Sequence, residues 1–394
     1  MFRKFVSNVP SGTGTNYILD FGESRRIRVR AYLRVEMPGT FDWRIFYINS
    51  VNSTFAGGEQ AYRGLPGGDF KILSARIADG GPVGGKNVYE LAGKASEGLP
   101  ELPTLENAVE LTFDKDASRI VHPDERIESD AVRLTVQDGH YLAFEWELEG
   151  NRIPCTPDSR TLTFVDTGDG FKADDSQNAP LPAMFACDRP YKKRVAFIGD
   201  SITQGCGTTR DAVEMWAGRI AGMMPENAVW NLGLGFGRGS DTLFVPEGQE
   251  YGSWLWKAVQ NDVIIVAFGT NDLISGSYHK EPSERRSDTA GEYLRTLSTL
   301  VGKLKNAGID VIIATLPPFS YSEKQEDEWR AVNLAIPALA AMYGCRVYDI
   351  QAALDPTHDL GNKYPCGAHP DGHGGEIAAE YFRERFLNGG IGSL

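Results

Sequence analysis

Residues 195–205 read VAFIGDSITQG, and this stretch joins a short apolar run to a turn that carries Asp200 and Ser201. The run 195–198 contains no polar residue, which is typical of a strand buried on both faces of a parallel sheet. A serine at a strand-to-helix turn lies in the positive field of the helix N-terminus, with its backbone N–H not used by the helix. That position suits a nucleophile and one oxyanion donor, although a plain Asp/Ser helix cap would give the same residues.

After this stretch, the chain alternates short apolar runs with amphipathic segments. The further apolar runs are 229–232, 263–268, 311–316 and 346–350. The segment 289–307 has apolar residues at helical spacing and stops at Gly308, a typical C-cap residue; 329–343 and 376–386 show the same helical spacing. Alternating strands and helices predict a doubly wound parallel α/β sheet, with its functional crevice at the carboxyl ends of the strands.

The N-terminal half has a different periodicity. Apolar and polar residues alternate with a period of two in 27–35, and similar strand-like runs occur at 43–48, 70–77, 109–113, 131–136, 141–148 and 161–165. Breaks rich in Gly, Pro and Asp separate these runs. We therefore predict an all-β sandwich over residues 1–186, a linker within 174–193, and an α/β domain over 187–394.

Composition restricts the partners that the chain can have. The chain has 394 residues and a formal net charge of −13, which argues against nucleic acid or an anionic membrane surface and leaves a neutral ester or sugar as the more plausible partner. Five cysteines without a C-x-x-C pair favour free thiols over a disulfide framework or zinc site, and we expect no cofactor. The N-terminus lacks the apolar stretch of a secretory signal, so we expect a cytoplasmic protein unless a leader has been removed. The oligomeric state is left open.

Three more motifs fall at predicted strand ends or ahead of the last helix. They are NLGLGFGRG at 231–239, GTND at 269–272 and GAHPDGHGG at 367–375. The glycine-rich motif allows close backbone approach to a ligand and lacks the Lys and Ser/Thr of a phosphate loop. Asn271 could donate to an oxyanion or cap a helix. His369 is favoured over His373 as a general base, because Pro370 can fix its loop ahead of the helix.

In their shared order, these four motifs resemble the SGNH (GDSL-type) hydrolases over roughly residues 194–386. The resemblance implies a flavodoxin-like three-layer α/β/α domain, with Ser201 as nucleophile, Asn271 as side-chain oxyanion donor and His369 as base. The family's second-block glycine commonly stands five residues after the asparagine, where this chain has Phe236. Allowing one inserted residue points to Gly237 as the second backbone donor, with Gly235 as the alternative.

One position departs from the family pattern. The family usually has an acid three residues before the histidine, and Cys366 stands there. A neutral thiol cannot stabilise an imidazolium as a carboxylate does. Three interpretations stay open: a Ser–His dyad oriented by a backbone carbonyl, an acid borrowed from Asp355, Asp359 or Asp371, or a catalytically weak protein.

The order of the two domains resembles that of carbohydrate acetylesterases with an N-terminal, jelly-roll-like β-sandwich. It implies hydrolysis of a small acyl ester, with acetyl on a sugar or oligosaccharide favoured. A lysophospholipase or thioesterase and a weakly active carbohydrate-binding relative are the alternatives. The aromatic stretch around Trp43 and Tyr47 could face a sugar, but core packing of the sandwich is the favoured interpretation.

Overall fold

The computed structural model describes residues 2–52, 64–82, 89–90, 94–95, 105–156, 160–173, 178–209, 211–274, 289–354 and 369–388. None of the helices within these ranges is long and apolar enough to cross a membrane.

The N-terminal half is built from antiparallel strands. They are β1 (Val6–Ser7), β2 (Tyr17–Arg34), β3 (Gly39–Ile48), β4 (Phe70–Asp79), β5 (Tyr89–Glu90), β6 (Lys94–Ala95), β7 (Val109–Glu110), β8 (Arg119–Val121), β9 (Arg126–Glu128), β10 (Val132–Val136), β11 (Tyr141–Cys155), β12 (Leu162–Asp166), β13 (Lys172–Ala173) and β14 (Met184–Cys187). One sheet has the order β1-β14-β3-β10, with β9 also on β3. A second has the order β13-β12-β2-β11-β4-β7, with β8 also on β4, and β5 pairs with β6 in a small two-stranded sheet. The prediction of an antiparallel sandwich is confirmed.

Side chains from both sheets meet in the sandwich core, because alternate residues of each strand point to the same face. Trp43 and Tyr47 of β3 pack there with Trp146 of β11, and the Tyr47 hydroxyl donates to the carbonyl of Pro154 at 2.9 Å. Trp43 is 1% exposed and Tyr47 is fully buried. The core-packing interpretation of these two aromatic residues is therefore confirmed, and they present no surface to a sugar.

The linker expected within 174–193 is wrong for much of its length. Leu181 and Phe185 are buried in the sandwich core, and β14 pairs with both β1 and β3. The Pro- and Ala-rich composition suggested a linker, but its apolar residues fill the space between the sheets. The last sandwich strand ends at Cys187 and the next strand begins at Arg194; the domain boundary at 186/187 stays a prediction.

The C-terminal half alternates strands and helices as predicted. Its strands are β15 (Arg194–Gly199), β16 (Ala228–Asn231), β17 (Val263–Ala267), β18 (Asp310–Ala314) and β19 (Arg346–Tyr348). Its helices are α1 (Ser201–Gln204), α2 (Trp216–Met223), α3 (Gly239–Thr242), α4 (Ser253–Ala258), α5 (Thr270–Ile274), α6 (Ala290–Asn306), α7 (Glu323–Tyr343), α8 (Ile350–Leu354) and α9 (Gly372–Phe382), the last continued by a π-helical turn (Arg383–Leu387).

All five strands of this sheet are parallel, in the order β16-β15-β17-β18-β19. One face packs against α4, α6 and α7, and the other against α2, α8 and α9, which gives the expected three layers. The strand order reverses between β15 and β17, and doubly wound sheets bind ligands at the carboxyl ends of strands at such a switch point. Ser201 follows β15 and Asn271 follows β17, so both lie at this point.

The two halves share a continuous apolar core. Phe46 and Ile48 on the outer face of β3 belong to the same cluster as Trp230 and Trp254 of the α/β half. A buried ion pair adds to this contact: Arg189 donates to the Glu36 carboxylate at 2.5 Å and to the Asn227 carbonyl at 2.6 Å. Burial of the Glu36 carboxylate raises its pKa to about 7 despite the neighbouring guanidinium.

Candidate active site

Ser201 is the first residue of α1, directly after the turn from β15. Gly199 ends the strand, and a Cβ there would lie 2.5 Å from the Ala267 carbonyl oxygen, so only glycine fits. Asp200 caps the helix by accepting the Ile202 N–H at 3.0 Å. The sequence thus makes the strand stop, turn and present Ser201 at the positive end of a short helix.

The structure brings Ser201 and His369 together, with 2.8 Å between Ser201 Oγ and His369 Nε2. The His369 ring meets the Phe319 ring edge-on, with centroids 5.1 Å apart. Gly207 lies against the histidine with φ of +101°, and a Cβ at this glycine would be 2.8 Å from His369 Cβ. His373 is instead largely exposed, with Nδ1 3.9 Å from the Glu376 carboxylate. Of the two candidate histidines, only His369 contacts the serine.

Of the three acids that could orient His369, the structure describes only Asp371. Asp371 caps α9, where its Oδ1 accepts the N–H groups of His373 at 3.0 Å and Gly374 at 2.9 Å. One oxygen of its carboxylate therefore serves the helix N-terminus, and its role as the orienting acid stays a prediction. Asp355, Asp359 and Cys366 lie outside the described residues. The Ser–His dyad oriented by a backbone carbonyl and the triad with an acid from another position therefore both stay predictions.

Asn271 lies in α5, immediately beyond the end of β17, and is 5% exposed. Its Nδ2 donates to the Gly237 carbonyl at 3.1 Å. This hydrogen bond joins the third motif to the glycine-rich second motif, so the structure gathers Ser201, Asn271 and the glycine loop at one edge of the sheet. Thr270, the residue before Asn271, meets the Tyr321 hydroxyl at 3.3 Å.

The glycine loop does not offer the backbone donors that the sequence suggested. The Gly237 N–H donates to the Leu234 carbonyl at 3.0 Å and closes a turn, and the Gly235 N–H donates to Gln204 Oε1 at 2.6 Å. In this arrangement both N–H groups already have acceptors, one within the loop and one at the end of α1. Phe236, between them, has φ of +59°, a left-handed conformation that glycine adopts at little cost and phenylalanine rarely adopts.

Sequence reasoning passed over Phe236 because glycine was sought at that point of the motif. The signal was nevertheless present, since Phe236 stands five residues after Asn231, where the resembled family has its glycine. The chain keeps the spacing and the glycine-type conformation while carrying another side chain. Two turn-forming glycines flank this residue and could have indicated the strained position.

A buried group of charges behind the site was also missed. Arg238 and Asp241 form an ion pair at 3.2 Å with both side chains fully buried, and Asp272 accepts the Gly239 N–H at 2.9 Å. Burial raises the pKa of Asp272 to about 7, and burial raises that of Asp200 to about 7 with a further contribution from Asp272. Asp200, Arg238 and Asp272 lie within the quoted motifs, so their spacing was visible in the sequence, but their burial was not.

Side chains of the sandwich half form hydrogen bonds with the loop that follows α1. The Arg34 Nε donates to the Asp211 carbonyl at 2.5 Å, and the Tyr141 hydroxyl donates to Asp211 Oδ2 at 2.8 Å. Arg160 donates to the Thr208 carbonyl in the same loop at 3.1 Å. Burial of the Asp211 carboxyl raises its pKa to about 6. Because this loop carries the glycine that packs on His369, the N-terminal half contributes to the surroundings of the site.

Known proteins resemble the C-terminal half. Residues 197–377 match the sequence profile of the GDSL-like Lipase/Acylhydrolase family. A solved member of the lipolytic protein G-D-S-L family from Veillonella parvula is 20% identical, over 50% of this chain and 98% of its own, with a TM-score of 0.40. The acetylxylan esterase Axe2 from Geobacillus stearothermophilus is 21% identical, over 50% of this chain and 94% of its own, with a TM-score of 0.38. None of the curated proteins compared with the chain matches it.

Proposed function

We propose that this chain is a serine esterase that hydrolyses short acyl esters, acetyl esters of carbohydrates above all. The match of residues 197–377 to the GDSL-like lipase/acylhydrolase profile supports this proposal. The observation that carries the proposal is the 2.8 Å contact between Ser201 Oγ and His369 Nε2 at the switch point of the parallel sheet. A hydroxyl in hydrogen-bond contact with an imidazole is the arrangement that activates a serine as nucleophile.

In the proposed reaction, His369 Nε2 takes the Ser201 proton as Oγ attacks the ester carbonyl. The tetrahedral intermediate collapses, the alcohol leaves with the proton returned by His369, and an acyl-enzyme remains. Water then attacks the acyl group with His369 again accepting a proton, and the carboxylic acid is released as Ser201 regains its hydrogen.

Three donors are proposed for the oxyanion: the Ser201 N–H, the Asn271 side-chain amide and the Phe236 N–H. Phe236 replaces Gly237 in this role because it stands at the position of the family's glycine and has a positive φ, which is typical of glycine. Each donor is worth roughly 3 kcal/mol of the barrier in sites of this kind.

The acetyl and carbohydrate parts of the proposal rest on the order of the domains, a sandwich followed by an α/β hydrolase half, and on the acidic net charge. A lipid hydrolase would need a long apolar groove at the site. Comparing p-nitrophenyl acetate with p-nitrophenyl octanoate separates the two, because a short acyl site should favour acetate.

The test of the esterase itself is Ser201→Ala, assayed with p-nitrophenyl acetate. We expect the rate of hydrolysis to fall to the background rate that is measured with an equal amount of a protein without esterase activity. Ser298→Ala is the matched control, since its hydroxyl contacts Tyr343 between α6 and α7 and lies away from the site. Equal hydrolysis by wild type and Ser201→Ala would show that the proposed nucleophile is wrong.

A further inference from the structure

A segment of the N-terminal half, residues 11–16, lies directly against the glycine loop of the candidate active site. A Cβ at Gly12 would lie 3.2 Å from the Gly233 carbonyl oxygen, and one at Gly14 would lie 2.7 Å from the Leu234 side chain. Two glycines therefore allow the segment to approach the loop closely. Both residues lie outside the part of the chain that matches the family.

Asn16 makes the polar contact between the segment and the loop. It is 1% exposed, and its Nδ2 donates to the Gly235 carbonyl oxygen at 2.9 Å. From the other side, Gln204 Oε1 accepts the Gly235 N–H at 2.6 Å. Gly235 is thus held between the N-terminal half and the last residue of the nucleophile helix.

The Gly235 carbonyl and the Phe236 N–H belong to the same peptide group. A trans peptide is planar and rigid, with its C=O and N–H pointing in opposite directions. The hydrogen bond from Asn16 therefore fixes the direction of the Phe236 N–H as well. This peptide is the central one of the turn closed by Gly237 and Leu234, and the two common β-turn types differ by the flip of that peptide.

Hydrogen bonds to the rest of the N-terminal half hold residues 11–16 in place against the glycine loop. The Asn16 N–H donates to the Cys155 carbonyl at 3.1 Å, the Thr15 hydroxyl to the Ser50 carbonyl at 2.7 Å and the Thr13 hydroxyl to the Pro182 carbonyl at 2.6 Å. Within the described residues, the buried Asn16 Oδ1 has no hydrogen-bond partner. A buried acceptor without a partner lowers stability, so packing alone would favour an apolar residue here.

We propose that Asn16 is a positioning residue of the active site, which sets the plane of the Gly235–Phe236 peptide and so aims the Phe236 N–H at the oxyanion. The N-terminal half thereby completes the oxyanion hole of the C-terminal half. This inference rests on the proposed esterase function, and it concerns the transition state, because the oxyanion forms only there.

The experiment uses the full chain with Asn16→Leu, which keeps the bulk of the side chain but removes its donor, and with Asn16→Ala. With p-nitrophenyl acetate, we expect kcat to fall about tenfold to a hundredfold, somewhat less than loss of a whole oxyanion donor, while KM stays within about threefold. Affinity for phenylboronic acid, which forms a tetrahedral serine adduct, should fall by about the same factor as kcat/KM. Inhibition by acetate, which lacks that geometry, should stay unchanged.

Asn8→Ala is the matched control. Asn8 is another buried asparagine of the same half, and its Nδ2 donates to the Met37 carbonyl at 2.9 Å away from the glycine loop. It should lower thermal stability without changing kcat or boronate affinity. Unchanged kcat and boronate affinity in folded Asn16→Leu would overturn the inference and leave the esterase standing. A wild type inactive towards every ester and unreactive towards boronate would overturn both.

Discussion

The two halves of the chain contribute to one site in different ways. In the C-terminal half, Ser201 and Asn271 follow neighbouring parallel strands, and parallel strands place all their carboxyl ends at one edge of a sheet. Position along the sequence therefore indicates proximity in space. In the N-terminal half, Asn16, Arg34 and Tyr141 reach the same region from antiparallel strands and a loop, and no shared sequence position connects them. Residues that follow the strands of the parallel sheet can thus be recognised from sequence motifs. Residues of the sandwich that contact the site can be recognised only from the folded structure.

The largest expected effect tests the motif side of this comparison. His369→Ala should lower kcat/KM for p-nitrophenyl acetate by about 10⁴–10⁶-fold, because the serine loses its base. His373→Ala, four residues along the same motif, should leave activity within about twofold, since its ring is exposed beside Glu376. A greater loss in His373→Ala than in His369→Ala would contradict the geometry on which the motif interpretation depends.

An intermediate effect tests the turn where the halves meet. Phe236→Gly and Phe236→Ala both remove the ring, but only glycine adopts φ of +59° without strain. The glycine variant should therefore be more stable than the alanine variant by about 1 kcal/mol, measured by urea unfolding, and should have the higher kcat. Equal stability of the two variants would show that the left-handed conformation at this residue is not maintained in solution.

The smallest expected effect is on stability, and it concerns the hydrogen bonds between the sandwich half and Asp211. Its raised pKa, about 6, means that the folded chain holds this proton more tightly than the unfolded chain does. Asp211 therefore lowers stability as pH rises from about 4 to 6, and the penalty remains above that window. Asp211→Asn should raise the Tm by a few degrees at pH 7.5, by less at pH 5, and should have no effect near pH 3.5.

Asp130→Asn is the control with opposite sign. Hydrogen bonds from the Thr112 hydroxyl and the Lys115 N–H lower the pKa of the Asp130 carboxyl, so its contribution is present at neutral pH and is lost as pH falls. This variant should lower the Tm at pH 7.5. A pH-independent difference between wild type and Asp211→Asn would mean that Asp211 titrates at its ordinary pKa in the fold.

Much of the fold followed from the sequence because hydrophobic periodicity is a local property. The alternation in 27–35 falls in β2 except for its last residue, and the helical spacing in 289–307 matches α6, whose N-cap is Thr289. The linker prediction failed because composition cannot show that Leu181 and Phe185 fill a gap between two sheets. Burial of that kind depends on residues distant in the sequence.

The site was predictable to a similar extent. The serine, asparagine and histidine motifs indicated which side chains to bring together, and the structure places Ser201 beside His369. The proposed second backbone donor, Phe236, was not predictable from glycine content, because the choice depends on which N–H groups the turn itself uses. Asn16 carries no signal in the sequence, since an asparagine in a loop usually has a local role in a turn or cap.

Covalent labelling tests the central claim most directly, namely that His369 activates Ser201 as a nucleophile in the intact two-half protein. Folded wild type is incubated with a fluorophosphonate probe, and the modified peptide is mapped by mass spectrometry. We expect a single adduct on Ser201, formed far more slowly in His369→Ala. Folded wild type that stays unlabelled, or carries the adduct on another residue, would contradict the account.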